Sequence, residues 1–275
     1  PPPMDFRRSK GESKPFPPKA RFLFRNIGRT QTLLAEIARK AEIKPPGFSW
    51  LHRDNDVQAL ESLAEKVRSA LGVGVKDQLS WGDNETALKS WRDAVELSGI
   101  HVFQHNLEGF GLRGFSLVRD GYPAIVLNSV EAPAGRIFTL FHEYAHCIRN
   151  KEGACGRSNK WSSERSLEDW CDRFAGALLY PPAAGEDERL QPALASLRDD
   201  PEASIAKIAR RLKVSELVVL MRLREWDRLS VAKTSELWKR ISGKINHAVR
   251  EKLRLRAQNA ASRELKINPV IMVLS

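Results

Sequence analysis

The segment "FTLFHEYAHC", residues 138–147, contains two histidines whose spacing is suited to binding a metal ion. Side chains at positions i and i+4 project from one face of an α-helix, so His142 and His146 can offer two imidazole nitrogens to a single ion. Glu143 lies one step around the helix, where its carboxylate can act on a water molecule without binding the metal. This H-E-x-x-H arrangement is typical of a zinc hydrolase with Glu143 as general base, but taken alone it fits two histidines that only pack in a core about equally well.

A catalytic zinc site needs a third protein ligand and leaves one position for water. The downstream segment "SLEDWCDRFA" places Glu168 and Asp172 at i and i+4, on one face of a second helix. We predict that Glu168 is the third ligand and that Asp172 accepts a hydrogen bond from the far ring nitrogen of a histidine. Glu164, one turn earlier, is the alternative ligand, and an amphipathic helix with solvated acids is the alternative interpretation of the segment.

The elements that must position these residues begin with three amphipathic helices. Residues 1–20 are basic and proline-rich and are predicted to be disordered. Apolar residues then recur at helical spacing in "RTQTLLAEIARKAEI", "DVQALESLAEKVRSALG" and "NETALKSWRDAVELSG". In the first of these segments the spaced residues are Leu33, Leu34, Ile37, Ala38 and Ala41. Asn84 is the predicted N-cap of the third helix, and glycines follow the second and third helices.

A small sheet is predicted between these helices and the histidines. Residues 100–106, 112–121 and 122–128 are short and β-rich, and the turn signal "RDGYP" makes the last two a hairpin. The segment "IFTLFHEYAHCIR" is apolar at positions typical of a mostly buried helix. A second helix, "SLEDWCDRFAGALLYPP", ends at two prolines. The predicted ligands therefore lie on two successive helices that follow the sheet.

The C-terminal part of the chain is predicted to be helical. Residues 204–226 have the rhythm of a helix-turn-helix, with Val214 in the turn and Ser215 as a cap. Residues 236–256 repeat an apolar residue at every fourth position, with lysine and arginine on the other faces. Such charge is what phosphate contact requires, but helical hairpins are also common packing units.

The composition indicates the cellular compartment and the class of binding partner to expect. The chain has 275 residues, of which 42% are hydrophobic, and a net charge of +11, so it can bury a core and favours an anionic partner. Its three cysteines do not suit a secreted disulfide framework. The longest apolar run, "PVIMVL", is too short to span a bilayer. We expect a cytoplasmic protein with no membrane segment.

The motif residues are similar to those of the ImmA/IrrE family of zinc metallopeptidases. That family typically shows an arginine shortly before F-T-L-A-H-E-x-x-H, and then E-x-x-A/C-N-x-F-A-x-x-L-L-x-P. The corresponding residues here are Arg136, Phe138, Thr139, Leu140, His142, Glu143, His146, Glu168, Cys171, Asp172, Phe174, Ala175, Leu178, Leu179 and Pro181. Three residues depart from the pattern, since Phe141 replaces alanine, Asp172 replaces asparagine and Tyr180 replaces methionine.

The resemblance implies an α+β fold with a zincin-like minimal metallopeptidase core, made of helices and a small mixed or antiparallel sheet. An all-α, helix-turn-helix-like region follows it. We therefore expect a zinc metallopeptidase domain at 21–195 and the helical region at 196–275. In the family, the strand before the active helix runs along the edge of the cleft, so "AIVLN" is expected to pair with an extended substrate.

The resemblance also implies a function and a partner. The family cleaves helix-turn-helix transcriptional repressors or antitoxins at selected sites, in bacterial stress responses or in the control of mobile elements. Tyr180 and Arg136 are the candidates for stabilising the oxyanion, although structural roles are favoured for both. Two other functions stay open: a DNA-binding regulator, and an antitoxin-like scaffold that retains a zinc site. Weak nucleic-acid contact through the basic segments is compatible with each of these functions.

Overall fold

The computed structural model describes residues 17–43, 57–119, 121–150 and 161–245, together with residues 247 and 251. The helices are α1 (Pro18–Lys40), α2 (Val57–Ala70), α3 (Val75–Ser80), α4 (Asn84–Leu97), α5 (Pro133–Asn150), α6 (Trp161–Leu179), α7 (Gln191–Ala195), α8 (Pro201–Leu212) and α9 (Glu216–Glu225). The strands are β1 (His101–His105), β2 (Gly114–Arg119) and β3 (Tyr122–Asn128). A 3₁₀ turn, Pro182–Glu186, follows α6, and residues 231–245 are also helical. The predicted α+β class is confirmed.

The three strands form one mixed sheet in the order β1–β3–β2. Strand β3 pairs in parallel with β1 and in antiparallel with β2, which confirms the predicted hairpin. The expectation that "AIVLN" offers a free edge is wrong, because these residues belong to β3 and β3 has a partner strand on each side. In the described part of the chain, β1 and β2 are the edge strands.

The two faces of the sheet are covered by different helices. Phe115 on β2 points towards α1, where its ring centroid is 5.0 Å from that of Phe24. The neighbouring residue, Gly114, points the opposite way, because successive residues of a strand alternate between faces, and it lies against α5. Helix α5 also packs against α4 and α6, so it is enclosed between the sheet and other helices. This enclosure explains why its apolar positions are buried.

Helix α1 differs from the prediction in its start and in its buried face. It begins at Pro18, with proline in the first turn, where the missing N–H group costs little. Residues 18–20 of the predicted disordered segment are therefore helical, and residues 1–16 lie outside the described residues. Leu33 and Ile37 are exposed, while the buried face of α1 includes Phe24, Ile27 and Gln31.

Helix α4 and the division of the chain also differ in detail from the sequence-based expectations. Asp83 is the N-cap of α4, and its carboxylate accepts a hydrogen bond from the backbone N–H of Thr86, so the prediction of Asn84 is wrong by one position.

The chain separates into two compact units between Arg222 and Leu223. The predicted boundary between a metallopeptidase domain that ends at residue 195 and a helical region that begins at residue 196 stays a prediction. In the described ranges, no helix is long and apolar enough to cross a bilayer.

Candidate metal centre

Helix α5 holds the two predicted histidine ligands inside the protein. Its apolar residues Ile137, Leu140, Phe141, Tyr144, Ala145 and Ile148 are all buried, as the sequence pattern predicts. His142 and His146 lie among them and are also buried. Buried imidazoles need polar partners, since an unsatisfied polar group in a core is costly.

Helix α6 brings a carboxylate to both imidazoles. Oε2 of Glu168 lies 3.3 Å from Nε2 of His142, and Oε1 of Glu168 lies 3.1 Å from Nε2 of His146. The two Nε2 atoms are 3.1 Å apart. The structure therefore brings His142, His146 and Glu168 together as one group that can hold a metal ion.

The spacing of the two imidazoles fits a tetrahedral ion. Zinc binds histidine nitrogen and carboxylate oxygen at about 2.0–2.1 Å, which puts neighbouring ligand atoms of a tetrahedron about 3.3 Å apart. The separation of 3.1 Å between the two imidazole nitrogens is close to that value, and each of these nitrogens lies 3.1 or 3.3 Å from a different oxygen of the Glu168 carboxylate. Two nitrogens and one oxygen are also a donor set that zinc accepts in catalytic sites, with the fourth position left for water.

Asp172 lies behind the first histidine, as predicted. Its Oδ1 is 2.8 Å from Nδ1 of His142, on the side of the ring opposite Nε2. A carboxylate at this distance accepts the proton of Nδ1 and leaves the lone pair of Nε2 available to a metal. The i, i+4 relation of Glu168 and Asp172 thus puts one carboxylate at each nitrogen of the same ring.

The environment of Glu168 keeps it ionised. Burial alone would raise its pKa, but hydrogen bonds from His142 and His146, together with their charge, outweigh burial and hold the pKa well below its usual range. The side chain is 39% exposed, whereas that of His142 is fully buried, so the group is open on the carboxylate side. Glu164 belongs to α6, but its side chain lies outside the described residues.

Glu143 is buried between α5 and the edge strand β2. It is outside the ligand group, as its place on the helix predicts. A Cβ atom built on Gly114 would lie 2.5 Å from Cγ2 of Thr139 and 3.6 Å from Cγ of Glu143. Gly114 therefore allows β2 to approach the face of α5 that carries Glu143. Gly114 was not predicted to be important from the sequence, although a glycine inside a strand pattern is a known signal that another segment approaches the backbone closely.

The two candidates for oxyanion stabilisation lie away from the ligand group. Tyr180 follows the last residue of α6, about 18 Å along the helix axis from Glu168, which is beyond the reach of a tyrosine side chain. The guanidinium of Arg136 donates to Gln104 at 2.5 Å and to Glu85 at 3.2 Å. The distance of Tyr180 from Glu168 favours a structural role for Tyr180, and the contacts of Arg136 favour a structural role for Arg136.

The helix-turn-helix rhythm is confirmed as two helices, α8 and α9, but α9 is poorly suited to reading DNA. Val218, Val219, Leu220, Arg222 and Leu223 are buried, and Met221 is the exposed residue of the helix. A recognition helix needs exposed polar side chains that reach the edges of bases in the major groove. The polar residues of α9 that reach the surface, Glu216, Arg224 and Glu225, are all half-buried, and two of the three are acidic.

Comparison with known proteins gives a family match for part of the chain. Among solved structures, a Mycobacterium tuberculosis transcriptional regulator is 16% identical with a TM-score of 0.40, and the match covers 63% of this chain and 48% of the regulator. This chain thus spans about half the length of that protein. A comparison with curated proteins finds no match. The model of the M78 peptidases, described as the IrrE N-terminal-like domain, matches residues 95–224.

The matched residues begin at the end of α4 and reach into α9, so they include the sheet, α5 and α6. Both helices of the ligand group lie inside this range. Residues 95–224 therefore match an IrrE N-terminal-like domain of the M78 peptidases, which supports the predicted resemblance to the ImmA/IrrE family.

Proposed function

We propose that this protein is a zinc-dependent, site-selective endopeptidase. The observation that carries the proposal is the convergence of His142, His146 and Glu168, whose ligand atoms lie within 4.8 Å of one another, with the buried Glu143 on the same helix as the two histidines. Such a set has no evident role in packing, because it concentrates three polar side chains at the junction of α5 and α6.

The residues of the chain divide the chemistry between them. A zinc ion supplies Lewis-acid chemistry when it is bound. Glu143 takes the proton of the attacking water and later delivers it to the nitrogen of the leaving amine. Asp172 holds the ring of His142 in the orientation and tautomer that present Nε2 to the ion.

The edge of β2 is the proposed binding surface for the substrate main chain. Along β2, the backbone N–H and C=O groups of successive residues point alternately towards β3 and away from it. The backbone N–H of Asn128 donates to the carbonyl of Arg113, so the groups of Arg113 point towards β3. Those of Gly114, Ser116 and Val118 therefore face away from β3. An extended peptide can pair with such an edge. Because Gly114 adjoins Glu143, this edge leads a bound peptide to the general base.

The proposed substrate is a helix-turn-helix repressor or antitoxin, in the cytoplasm. The resemblance to the ImmA/IrrE family supports this proposal, and the edge of β2 is compatible with it, since an extended loop between helices can enter the site. Selectivity then depends on which segment of a folded partner can adopt an extended conformation.

The test compares the unmodified protein with Glu143→Gln and Glu168→Ala. Each is incubated with zinc and a library of proteome-derived peptides, and the products are identified by mass spectrometry while bound zinc is measured in parallel. We expect one zinc and a restricted set of cleavages for the unmodified protein, and one zinc with cleavage reduced about 10²–10⁴-fold for Glu143→Gln. Glu168→Ala should lose zinc.

Two results would contradict the proposal. If no preparation binds zinc, the metal centre is excluded. If the unmodified protein and Glu143→Gln both bind zinc and neither cleaves any peptide or candidate repressor, the antitoxin-like scaffold is the better interpretation.

A further inference from the structure

The C-terminus of α6 is buried and is bonded to side chains from three other helices. The last carbonyls of a helix have no partner within the helix and must find one elsewhere. Nη1 of Arg68 donates to the carbonyl of Leu178 at 2.7 Å, and Nε2 of Gln78 donates to that of Leu179 at 3.0 Å. Nε of Arg222 donates to the carbonyl of Tyr180 at 3.1 Å. We call Arg68, Gln78 and Arg222 the α6 end cluster.

The members of the α6 end cluster also bind one another and their own neighbours. Nη1 of Arg68 donates to Oε1 of Gln78 at 2.8 Å, and Nε2 of Gln78 also donates to the carbonyl of Leu212, at the end of α8. Arg222 forms an ion pair with Glu61 on α2. All three members are buried, and burial lowers the pKa of Arg68 to about 10. Removing one partner would leave buried polar groups unsatisfied, so the arrangement is strongly constrained.

The same cluster is linked through Trp91 of α4 to the helix that carries the histidines. The guanidinium of Arg68 lies over the ring of Trp91, 5.2 Å from its centroid. Trp91 in turn packs edge-to-face on Phe141, at a centroid distance of 4.8 Å. Phe141 immediately precedes His142 on α5. Both metal-bearing helices are therefore held by one group of packed side chains.

A metal centre built from two helices depends on their axial alignment. Leu178 is about 15 Å along α6 from Glu168, and a helix transmits an axial displacement along its length with little change. Metal ligands must lie within about 0.2 Å of their ideal distances. A small slip of α6 along α5 would therefore remove Glu168 from the two imidazoles.

We propose that Arg68, Gln78 and Arg222 are positioning residues for the metal centre. By fixing the end of α6 relative to α2, α3, α8 and α9, they set the position of Glu168 opposite His142 and His146. The proposal rests on the proposed metal-dependent function. It gives α9 a role in the peptidase domain, because Arg222 belongs to that helix.

The experiment measures metal binding separately from stability. Arg222→Gln and Gln78→Met each remove bonds to α6, and Glu61→Gln removes the charge partner of Arg222 in case either of the first two fails to fold. Arg224→Gln, on the same helix, is the matched control. Ile27→Ala destabilises the unrelated core between α1 and the sheet and controls for loss of stability. Zinc affinity is measured by chelator competition, and the ligand geometry by the visible spectrum of the cobalt-substituted protein, all below the melting temperature.

We expect Arg222→Gln and Gln78→Met to lower zinc affinity at least tenfold and to change the cobalt spectrum. Glu61→Gln should act in the same direction by severalfold. Arg224→Gln and Ile27→Ala should bind both metals as the unmodified protein does. If the cluster variants bind metal normally, or if Ile27→Ala weakens binding to the same extent, the positioning role is refuted. If the unmodified protein binds neither ion, the metal-dependent function falls as well.

Discussion

A carboxylate, and not an amide, stands behind the first histidine of the ligand group. Oδ1 of Asp172 lies 2.8 Å from Nδ1 of His142, at a position where the ImmA/IrrE pattern commonly has asparagine. Both side chains can accept the ring proton, but only the carboxylate adds a negative charge, which makes the other ring nitrogen a better metal ligand. We therefore predict that this departure from the family pattern strengthens metal binding.

Substitution of Asp172 tests this residue-scale argument. We expect Asp172→Ala to weaken zinc binding about 10–100-fold, because the ring of His142 loses its orienting partner. Asp172→Asn should weaken it less, since the amide oxygen still accepts the proton. Chelator competition at neutral pH measures both effects.

The control for this series is Asp169→Asn. Asp169 is an exposed acid on the same helix, off the metal-facing side. Equal affinities for Asp172→Ala and Asp169→Asn would show that the contact between Asp172 and His142 contributes nothing to metal binding.

At the scale of elements, the distance between β2 and α5 depends on a single missing side chain. Gly114→Ala would place a methyl group 2.5 Å from Thr139 and 2.8 Å from the carbonyl oxygen of Val126, distances that require the strand or the helix to move. We expect an overpacking cost of about 1–3 kcal/mol in the free energy of unfolding. Cleavage should fall further than zinc affinity, because Glu143 faces β2 while the ligands face α6.

Urea unfolding, zinc titration and peptide cleavage together check this prediction. Gly82→Ala is the control, since a Cβ atom there meets no neighbour within 4 Å. Should Gly114→Ala unfold and cleave like Gly82→Ala, the close approach of β2 to α5 is unimportant.

The local elements and the ligand group could be predicted from the sequence, because both depend on short spacings. Helical periodicity indicated α5, and the i, i+4 pairs selected His142 with His146 and Glu168 with Asp172. Strand order could not be predicted in this way, since the pairing of β1 with β3 spans the whole hairpin. The result was the wrong assignment of a free edge to β3.

The α6 end cluster could not be predicted from the sequence, for the same physical reason. Arg68 and Gln78 are ten residues apart, but Arg222 and the end of α6 lie far along the chain from them, and all of these groups meet only after the helices have packed. A lone arginine on an amphipathic helix is usually solvated, so nothing local distinguishes Arg222 from Arg224. The displaced N-cap at Asp83 is a smaller error, because adjacent Asp and Asn residues are almost equally good caps.

On the scale of the whole molecule, the net charge and the helix-turn-helix segment lead to different expectations about DNA binding. A net charge of +11 favours attraction to phosphate, whereas α9 is largely buried and two of its three half-buried polar residues are acidic, which is unfavourable for reading bases. We therefore predict that any DNA binding is independent of sequence. Its affinity should fall steeply as salt is raised from 50 to 200 mM, by a factor that grows with the number of phosphates contacted.

Fluorescence anisotropy with two unrelated duplexes at both salt concentrations checks this prediction. Equal affinities for the two duplexes at each salt concentration are expected. A preference of tenfold or more for one duplex, retained at the higher salt, would favour the DNA-binding regulator.

The uneven exposure of the ligand group has a kinetic consequence. The imidazoles are sealed inside, while Glu168 and Asp172 are 39% and 46% exposed. If an ion binds this group as proposed, we expect it to enter and leave on the side of Glu168, because the two histidines are closed off by the core. A chelator should then reach the ion from that side, and exchange of the metal should not require the domain to unfold.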